Sequence, residues 1–294
     1  MTLKTVLDRL GRERGADFLA NDPLSFAHRY RHPADRELAA FLSAALAYGR
    51  VASIRASLED LFGRLPEGPA AFIGGFDPGR DAQRLNGFRH RFNDGADIVV
   101  LCWLLKQMVE AAGSLEGFFL AGDSGGEDIG EALSSFCRRA LAFDVTAVLG
   151  RAALPPRAGV RYFFANPADG SACKRLCMFL RWVCRPDDGI DLGLWRSVSP
   201  SRLVIPLDTH TARISRLLGL SSRTSADWRM AREVTATLRA LDPADPVRYD
   251  FALAHLGISE GCQGRSGTWC IPCPVAGLCA VSLSNRRYRE EKKF

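Results

Sequence analysis

Apolar residues recur at helical spacing along most of this chain. After Asp35, the stretch RELAAFLSAALAYG has one apolar face, which predicts an amphipathic helix. The residues on that face are Leu38, Phe41, Leu42, Ala45 and Leu46. Similar patterns predict helices at 98–112, 127–143, 172–184, 209–218, 226–241 and 246–256. Strand patterns are few, and VIPL before Asp208 is the clearest extended stretch. We therefore expect a mainly α fold.

Composition and apolar run lengths indicate a soluble protein. The chain has 294 residues, of which 47% are hydrophobic and 24% charged. The longest apolar run, Ile98–Leu105, is far too short to cross a bilayer, and the first residues contain no apolar signal core. We expect a cytoplasmic protein with no membrane contact. The net charge of +6 permits binding to nucleic acid without requiring it.

Four cysteines near the C-terminus have the spacing C-x7-C-x2-C-x5-C. They are Cys262, Cys270, Cys273 and Cys279. In a chain with no sign of export, this set indicates metal ligation rather than disulfides. Four thiolates can bind a [4Fe–4S] cluster or a zinc ion. The uneven gaps within one loop favour the cluster over the paired knuckles of a zinc ribbon, and zinc or unligated thiols are the alternatives.

Lys174 is placed to act as a nucleophile if the helix predicted at 172–184 forms. It falls in the first turn of that helix, on the side opposite the apolar face, with Arg181 and Arg185. The positive end of a helix dipole disfavours an ammonium, and a neutral primary amine can form a Schiff base, which a guanidinium cannot. A solvated surface lysine is the alternative interpretation.

Asp208 stands between the extended VIPL stretch and the helix predicted at 209–218. Aspartate is a favoured N-cap, and capping alone would account for it. A carboxylate at this junction could instead stabilise a cationic transition state or activate a water molecule.

Taken in order, these three segments resemble the helix-hairpin-helix superfamily of DNA glycosylases, in particular its iron–sulfur, endonuclease III-like branch. The matching stretches are GSACKRL, PLDTHTARISRLLGL and HLGISEGC with CIPCPVAGLC. The early stretch FLSAALAYGR also resembles a helix of that family. The chain looks like a member of a distant bacterial family within this superfamily.

The resemblance implies a mainly helical, bilobal fold with the cysteine loop at its C-terminal end. Residues 1–34 would pack with the C-terminal lobe, residues 35–200 would form a six-helix barrel containing the hairpin, and residues 201–294 would carry the aspartate helix and the cluster. The partner would be double-stranded DNA with a modified base flipped into a cleft, and the protein would act as a monomer.

The resemblance also assigns roles to residues. Lys174 would attack C1′ of the damaged nucleotide and Asp208 would assist, so that base excision could be accompanied by strand cleavage. The four cysteines would hold a [4Fe–4S] cluster that shapes a basic loop. The residues expected to contact DNA are Gly170, Ser171, Arg181, Arg213 and Arg265.

The chain departs from the family pattern in its hairpin. Only Gly170 is present where two glycines are usual, and an insertion separates Lys174 from Asp208. Ala45 stands where the family has a glutamine, so the residue that would fill the gap left by a flipped base is not identified. A non-catalytic DNA- or RNA-binding iron–sulfur protein of the same fold is therefore the alternative function, and a redox-sensing or electron-carrying protein is a third.

Overall fold

The computed structural model describes residues 2–13, 19–258, 262–265 and 267–283, and within these ranges helices make up most of the regular structure. The helices are α1 (Leu3–Glu13), α2 (Pro33–Ala45), α3 (Val51–Gly63), α4 (Pro69–Gly74), α5 (Pro78–Asp81), α6 (Gly95–Ala112), α7 (Leu115–Leu120), α8 (Gly130–Ala140), α9 (Thr146–Leu149), α10 (Lys174–Cys184), α11 (Thr209–Leu217), α12 (Trp228–Arg239) and α13 (Asp250–Ile258). The prediction of a mainly α protein is confirmed.

A short antiparallel hairpin is the exception. Strand β1 (Arg89–His90) pairs with β2 (Asn93–Asp94), with Arg89 opposite Asp94. The hairpin and helix α3 both lie where sequence patterning gave no element. The hairpin was missed because each strand has only two residues, whereas α3 does carry apolar residues at helical spacing, namely Ile54, Leu58, Leu61 and Phe62. Among the described residues, none of the helices combines the length and apolar character needed to cross a lipid bilayer.

Side chains at helix starts explain two of the differences between predicted and observed boundaries. Asp94 accepts hydrogen bonds from the backbone amides of Ala96 and Asp97, so α6 begins three residues before its predicted start. Asp227 caps α12 through the amide of Met230. The predicted helix at 246–256 is a 3₁₀ turn, Pro246–Tyr249, followed by α13. Helix α8 is shorter at both ends than the predicted 127–143.

Helix α2 lies at the centre of the core. It packs against α10, against α4 and against the 3₁₀ segment Pro23–Arg29. The ring of Phe41 in α2 meets Phe179 of α10 edge to face at 5.2 Å between centroids, and Phe179 meets Trp195 in the same way at 5.3 Å. The centre of the fold is therefore an aromatic contact between an early helix and the helix that begins with Lys174.

The two ends of the chain meet at the same side of this core. Helix α1 packs against α13, and the Lys4 amine donates to the Tyr249 hydroxyl at 3.2 Å. Helix α11 also packs on α13. The predicted division at residues 34 and 200 stays a prediction, and residues 284–294 of its third segment lie outside the described residues.

In α10, a buried network of ion pairs holds Arg181 and Arg185, the two arginines predicted to lie opposite the apolar face. Arg181 was expected to face outward and contact DNA, but it is 4% exposed. Its guanidinium lies 2.7 Å from an Asp250 carboxylate oxygen and 3.3 Å from one of Asp191. Arg185 pairs with Asp191 and, at 2.8 Å, with Asp245. The prediction for Arg181 is wrong because buried aspartates from other segments turn both arginines inward, which helical periodicity alone cannot reveal.

Arg181→Ala should destabilise the protein strongly. The substitution leaves Asp250 buried without its counter-ion and Asp191 paired with Arg185 alone, and removing one partner of a buried pair costs about 3–5 kcal/mol. Urea denaturation followed by circular dichroism measures the change in the free energy of unfolding. Arg138→Ala, at an exposed position of α8, is the control and should change it by less than about 0.5 kcal/mol. Equal effects of the two substitutions would contradict this role for Arg181.

Candidate functional site

Lys174 and Asp208 meet at the N-terminal ends of two helices. Lys174 is the first residue of α10 and Asp208 is the N-cap of α11. Their side chains form an ion pair with 3.6 Å between Nζ and Oδ2. Neither is enclosed, since 35% of the Lys174 side chain and 28% of the Asp208 side chain are exposed. The structure thus brings together the two residues that the sequence singled out 34 positions apart.

One oxygen of the Asp208 carboxylate caps α11. Oδ1 accepts hydrogen bonds from the backbone amides of His210 and Thr211, each at 2.9 Å, while Oδ2 faces Lys174. Burial acts to raise the pKa of Asp208, but the positive charge of Lys174 and the two amides outweigh it, so the pKa lies below its usual value. The carboxylate is therefore ionised at neutral pH, and the stability that it contributes is lost only as the pH falls through this lowered pKa.

The turn before Lys174 has an unusual backbone. Cys173 adopts a left-handed conformation with φ of +50°, and Gly170 does so with φ of +80°. This conformation at Cys173 explains why α10 begins at Lys174 rather than at the predicted residue 172. No side chain caps α10, so the first-turn amides point outward without an intrahelical partner.

Gly170 and Ser171 serve partly to fix this turn in place. The Gly170 carbonyl accepts a hydrogen bond from the Trp228 amide at 3.1 Å, and Ser171 forms an isolated bridge with Asp227. The Ser171 hydroxyl accepts from the Cys173 amide at 3.2 Å. This turn is therefore anchored to the start of α12, and the exposed Gly170 remains accessible to a ligand.

Asp250 lies below the pair and was not identified from the sequence. Burial raises the pKa of its carboxyl to about 6, and the ion pair with Arg181 opposes that rise. The charges of Asp208 and Lys174 also act on Asp250, which places the three groups in one electrostatic neighbourhood. An aspartate at the start of a helix looks like an ordinary cap in sequence, so no local signal distinguishes it.

Two of the arginines expected to contact DNA lie in this C-terminal region. Arg213 of α11 extends toward His210, with 3.2 Å between its guanidinium and Nδ1. A Cβ at Gly264 would lie 3.0 Å from Arg213 Cδ, so the cysteine loop approaches this side chain closely. Arg265 is exposed and donates to the Gln263 side chain at 2.8 Å.

The four loop cysteines line a single cavity. Ile214 and Leu217 of α11 and Leu218 just after it form one wall of the cavity, and its other lining residues are Leu256, Val275, Ala276 and Ser282. Burial raises the pKa of the Cys273 thiol, and the nearby Cys262, Cys279 and Cys270 raise it further. The four thiols around this cavity are of the donor type that an iron–sulfur cluster uses.

The cavity itself is small. Its volume is about 30 Å³, which is less than a four-iron cube occupies. Within the described residues, no group of three or more His, Cys, Asp or Glu side chains is spaced to hold a single metal ion. The other five cysteines are buried, which suits small packing residues.

Comparison with known proteins identifies a family without an assigned activity. A family model described as protein of unknown function, DUF2400, matches residues 22–259. The match includes Lys174 and Asp208 and ends before the cysteine loop. No curated protein and no solved structure matches the chain.

Asp208→Ala and Asp208→Asn should differ in stability. Alanine cannot cap α11 and should cost about 1 kcal/mol, whereas asparagine caps as well as aspartate does. Loss of the partly exposed ion pair should contribute at most about 1 kcal/mol to either variant. Chemical denaturation of both variants tests this. If asparagine is as costly as alanine, the charge rather than the cap supports this helix.

Proposed function

The chain belongs to this DUF2400 family, and we propose that it is a DNA glycosylase that excises a modified base, with strand cleavage through a Schiff base on Lys174. The proposal includes the bilobal helix-hairpin-helix fold, with DNA lying across the mouth between the lobes. The observation that carries it is the 3.6 Å pairing of an amine and a carboxylate at two helix N-termini. Both groups are partly exposed, so a substrate can reach them.

The arrangement of charges suits attack on a sugar carbon. Asp208 is ionised and can take a proton from the Lys174 ammonium, which leaves a neutral amine with a free electron pair. When Nζ bonds to C1′, the glycosidic bond breaks and its electrons leave with the base, which takes up a proton. Opening of the sugar ring then gives an imine between Nζ and C1′. Asp208 passes the proton it received to the departing base, and its restored negative charge then stabilises the cationic form of the imine on the sugar.

The uncapped start of α10 supports binding of a phosphate next to this centre. Its first-turn amides and the positive end of the helix dipole point toward the same space as Lys174. Gly170 is exposed there and adds no side chain that would block a backbone from approaching. With Arg181 buried, the remaining proposed contacts are Gly170, Ser171, Arg213 and Arg265.

The four cysteines would hold a [4Fe–4S] cluster with a structural role. Bound thiolates would fix the loop from Cys262 to Cys279 against Ile214 and Leu217 of α11. When bound, the cluster would supply rigid cross-linking of this loop rather than redox chemistry on the substrate. Arg265 lies in the same loop, so this cross-link would also position a cation for phosphate.

A non-catalytic nucleic-acid-binding protein is the second candidate. The observation in its favour is that capping and the ion pair together account for both oxygens of Asp208 without any reaction. Salt-dependent binding to DNA without release of a base would identify this function.

Borohydride should trap the protein covalently on duplex DNA that contains a substrate lesion. Reduction of the imine between Lys174 and C1′ gives a stable adduct that denaturing electrophoresis resolves. A panel of duplexes with oxidised, alkylated, deaminated and abasic sites identifies the substrate. Lys174→Gln should abolish the adduct, because an amide cannot form the imine.

Two further variants test the same assignment. Lys4→Gln is the matched control, since Lys4 also pairs with an aspartate, Asp8, at 2.9 Å, and it should trap normally. Asp208→Asn should keep the fold but slow trapping about 10²-fold or more. Trapping by Lys174→Gln at the parental rate would remove Lys174 as the nucleophile.

Anaerobically purified protein should contain about four irons and four sulfides per chain. Cys270→Ala should lower the iron content sharply, because it removes one of the four thiolates. Cys102→Ala is the control, since Cys102 is buried in α6 and lines no metal site. Iron and zinc are counted by plasma mass spectrometry. One zinc per chain, without iron, would favour the zinc alternative.

A further inference from the structure

Three aromatic rings form a cluster at the surface beside the start of α10. Tyr48, Phe92 and Tyr162 pack in mutual contact, with ring centroids 5.3 Å apart for Tyr48–Phe92, 5.0 Å for Tyr48–Tyr162 and 4.7 Å for Phe92–Tyr162. Phe92 is 59% exposed and Tyr162 41% exposed. We call this cluster the aromatic platform. A lone exposed ring is common on protein surfaces, but three in contact form an apolar patch.

The aromatic platform is held rigidly. Tyr48 donates from its hydroxyl to the His90 carbonyl at 3.1 Å and also to the Asn93 side chain. The turn between β1 and β2 presents Phe92, and Arg91 in that turn adopts a left-handed backbone with φ of +56°. Tyr48 and the turn that presents Phe92 are therefore fixed by contacts within the protein, which lowers the cost of ordering the platform when a ligand binds.

Arg175 joins the aromatic platform to the candidate active site. Its guanidinium lies 3.9 Å from the Tyr162 ring centroid and 5.0 Å from that of Tyr48. The same group donates to the carbonyls of Ala45 and Tyr162. Because Arg175 directly follows Lys174, their Cα atoms are only about 3.8 Å apart. The exposed rings thus lie about the length of one arginine side chain from the backbone of Lys174, the proposed nucleophile.

Positive charge lies next to the rings. Arg50 and Arg91 are exposed, and neither guanidinium forms an ion pair or hydrogen bond with another residue in the described part of the chain. Arg91 passes over Gly49, the residue after Tyr48, where a Cβ would lie 3.0 Å from Arg91 Cδ. Exposed rings with neighbouring cations are the combination that binds unpaired nucleotides, since a base stacks on the ring while arginine attracts its phosphate.

We propose that the aromatic platform stacks an unpaired base of DNA, with Phe92 as the main contact and Arg50 and Arg91 attracting the adjacent phosphates. The inference rests on the proposed function for the nature of the partner, but not on Lys174 as nucleophile. It specifies the substrate as DNA with a nucleotide already displaced from the stack or easily displaced. Every base presents an aromatic face, so the platform selects for unstacking rather than for base identity.

Fluorescence anisotropy with two undamaged duplexes tests this proposal. One duplex is fully paired and the other carries a single bulged nucleotide. The parent should bind the bulged duplex more tightly. Phe92→Ala should weaken binding to the bulged duplex about 5- to 100-fold, with little effect on the paired duplex. Phe92→Tyr should restore the preference because it restores a ring. Leu149→Ala, which removes an exposed apolar side chain outside the platform, is the matched control.

The outcomes separate this inference from the proposed function. Equal loss on both duplexes, or no loss, overturns the platform. A change in self-association on Phe92→Ala, seen by light scattering and without a change in DNA binding, also overturns it and identifies a protein contact. Selective loss on the bulged duplex in a protein that never forms a borohydride adduct supports the platform and removes the proposed catalysis. If borohydride trapping is unaffected by Phe92→Ala and the protein shows no preference for the bulged duplex, the proposed catalysis is supported and the platform is overturned.

Discussion

The ion pair between Lys174 and Asp208 is the contact on which the arrangement of this site depends. Two helices direct their N-terminal, positive ends at one space, and an ammonium lies there too. Without an anion the three positive contributions would repel one another. Asp208 supplies that anion while one of its oxygens caps its own helix. A single carboxylate thus serves local folding and the electrostatics of the site at once.

The layer beneath this pair is ionic rather than apolar. Arg181 forms ion pairs with Asp191 and Asp250 inside the protein. The charges of Lys174 and Asp208 act on the pKa of Asp250. Interactions between charges are stronger when they are shielded from water. The charge state of Lys174 and Asp208 is therefore linked to buried residues that a substrate at the surface would not contact.

Sequence patterning predicted the elements whose formation depends on residues close to one another in the chain. Regular apolar spacing gave helices α2, α6 and α10, and an aspartate at a helix start gave α11. The hairpin that presents Phe92 was missed because two-residue strands have no period. The inward turn of Arg181 was missed because its partners lie outside α10: Asp191 is in the loop that follows the helix, and Asp250 comes from α13. The resemblance in the order of three segments singled out Lys174 and Asp208 together. The neighbouring rings gave no common signal, because Tyr48 is in a loop, Phe92 in the turn of the β hairpin and Tyr162 in the 3₁₀ helix Gly159–Phe164.

Helix α11 begins at the carboxylate and, over its nine residues, reaches the cysteine cavity, which Ile214 and Leu217 line. At about 1.5 Å per residue it acts as a stiff rod of about 13 Å. A change in side-chain size at its far end would tilt the rod and move the carboxylate relative to Lys174. Changes at the two ends of this helix are therefore coupled. Substitutions at Ile214 and Leu217 are tolerated only when they keep the geometry required at Asp208.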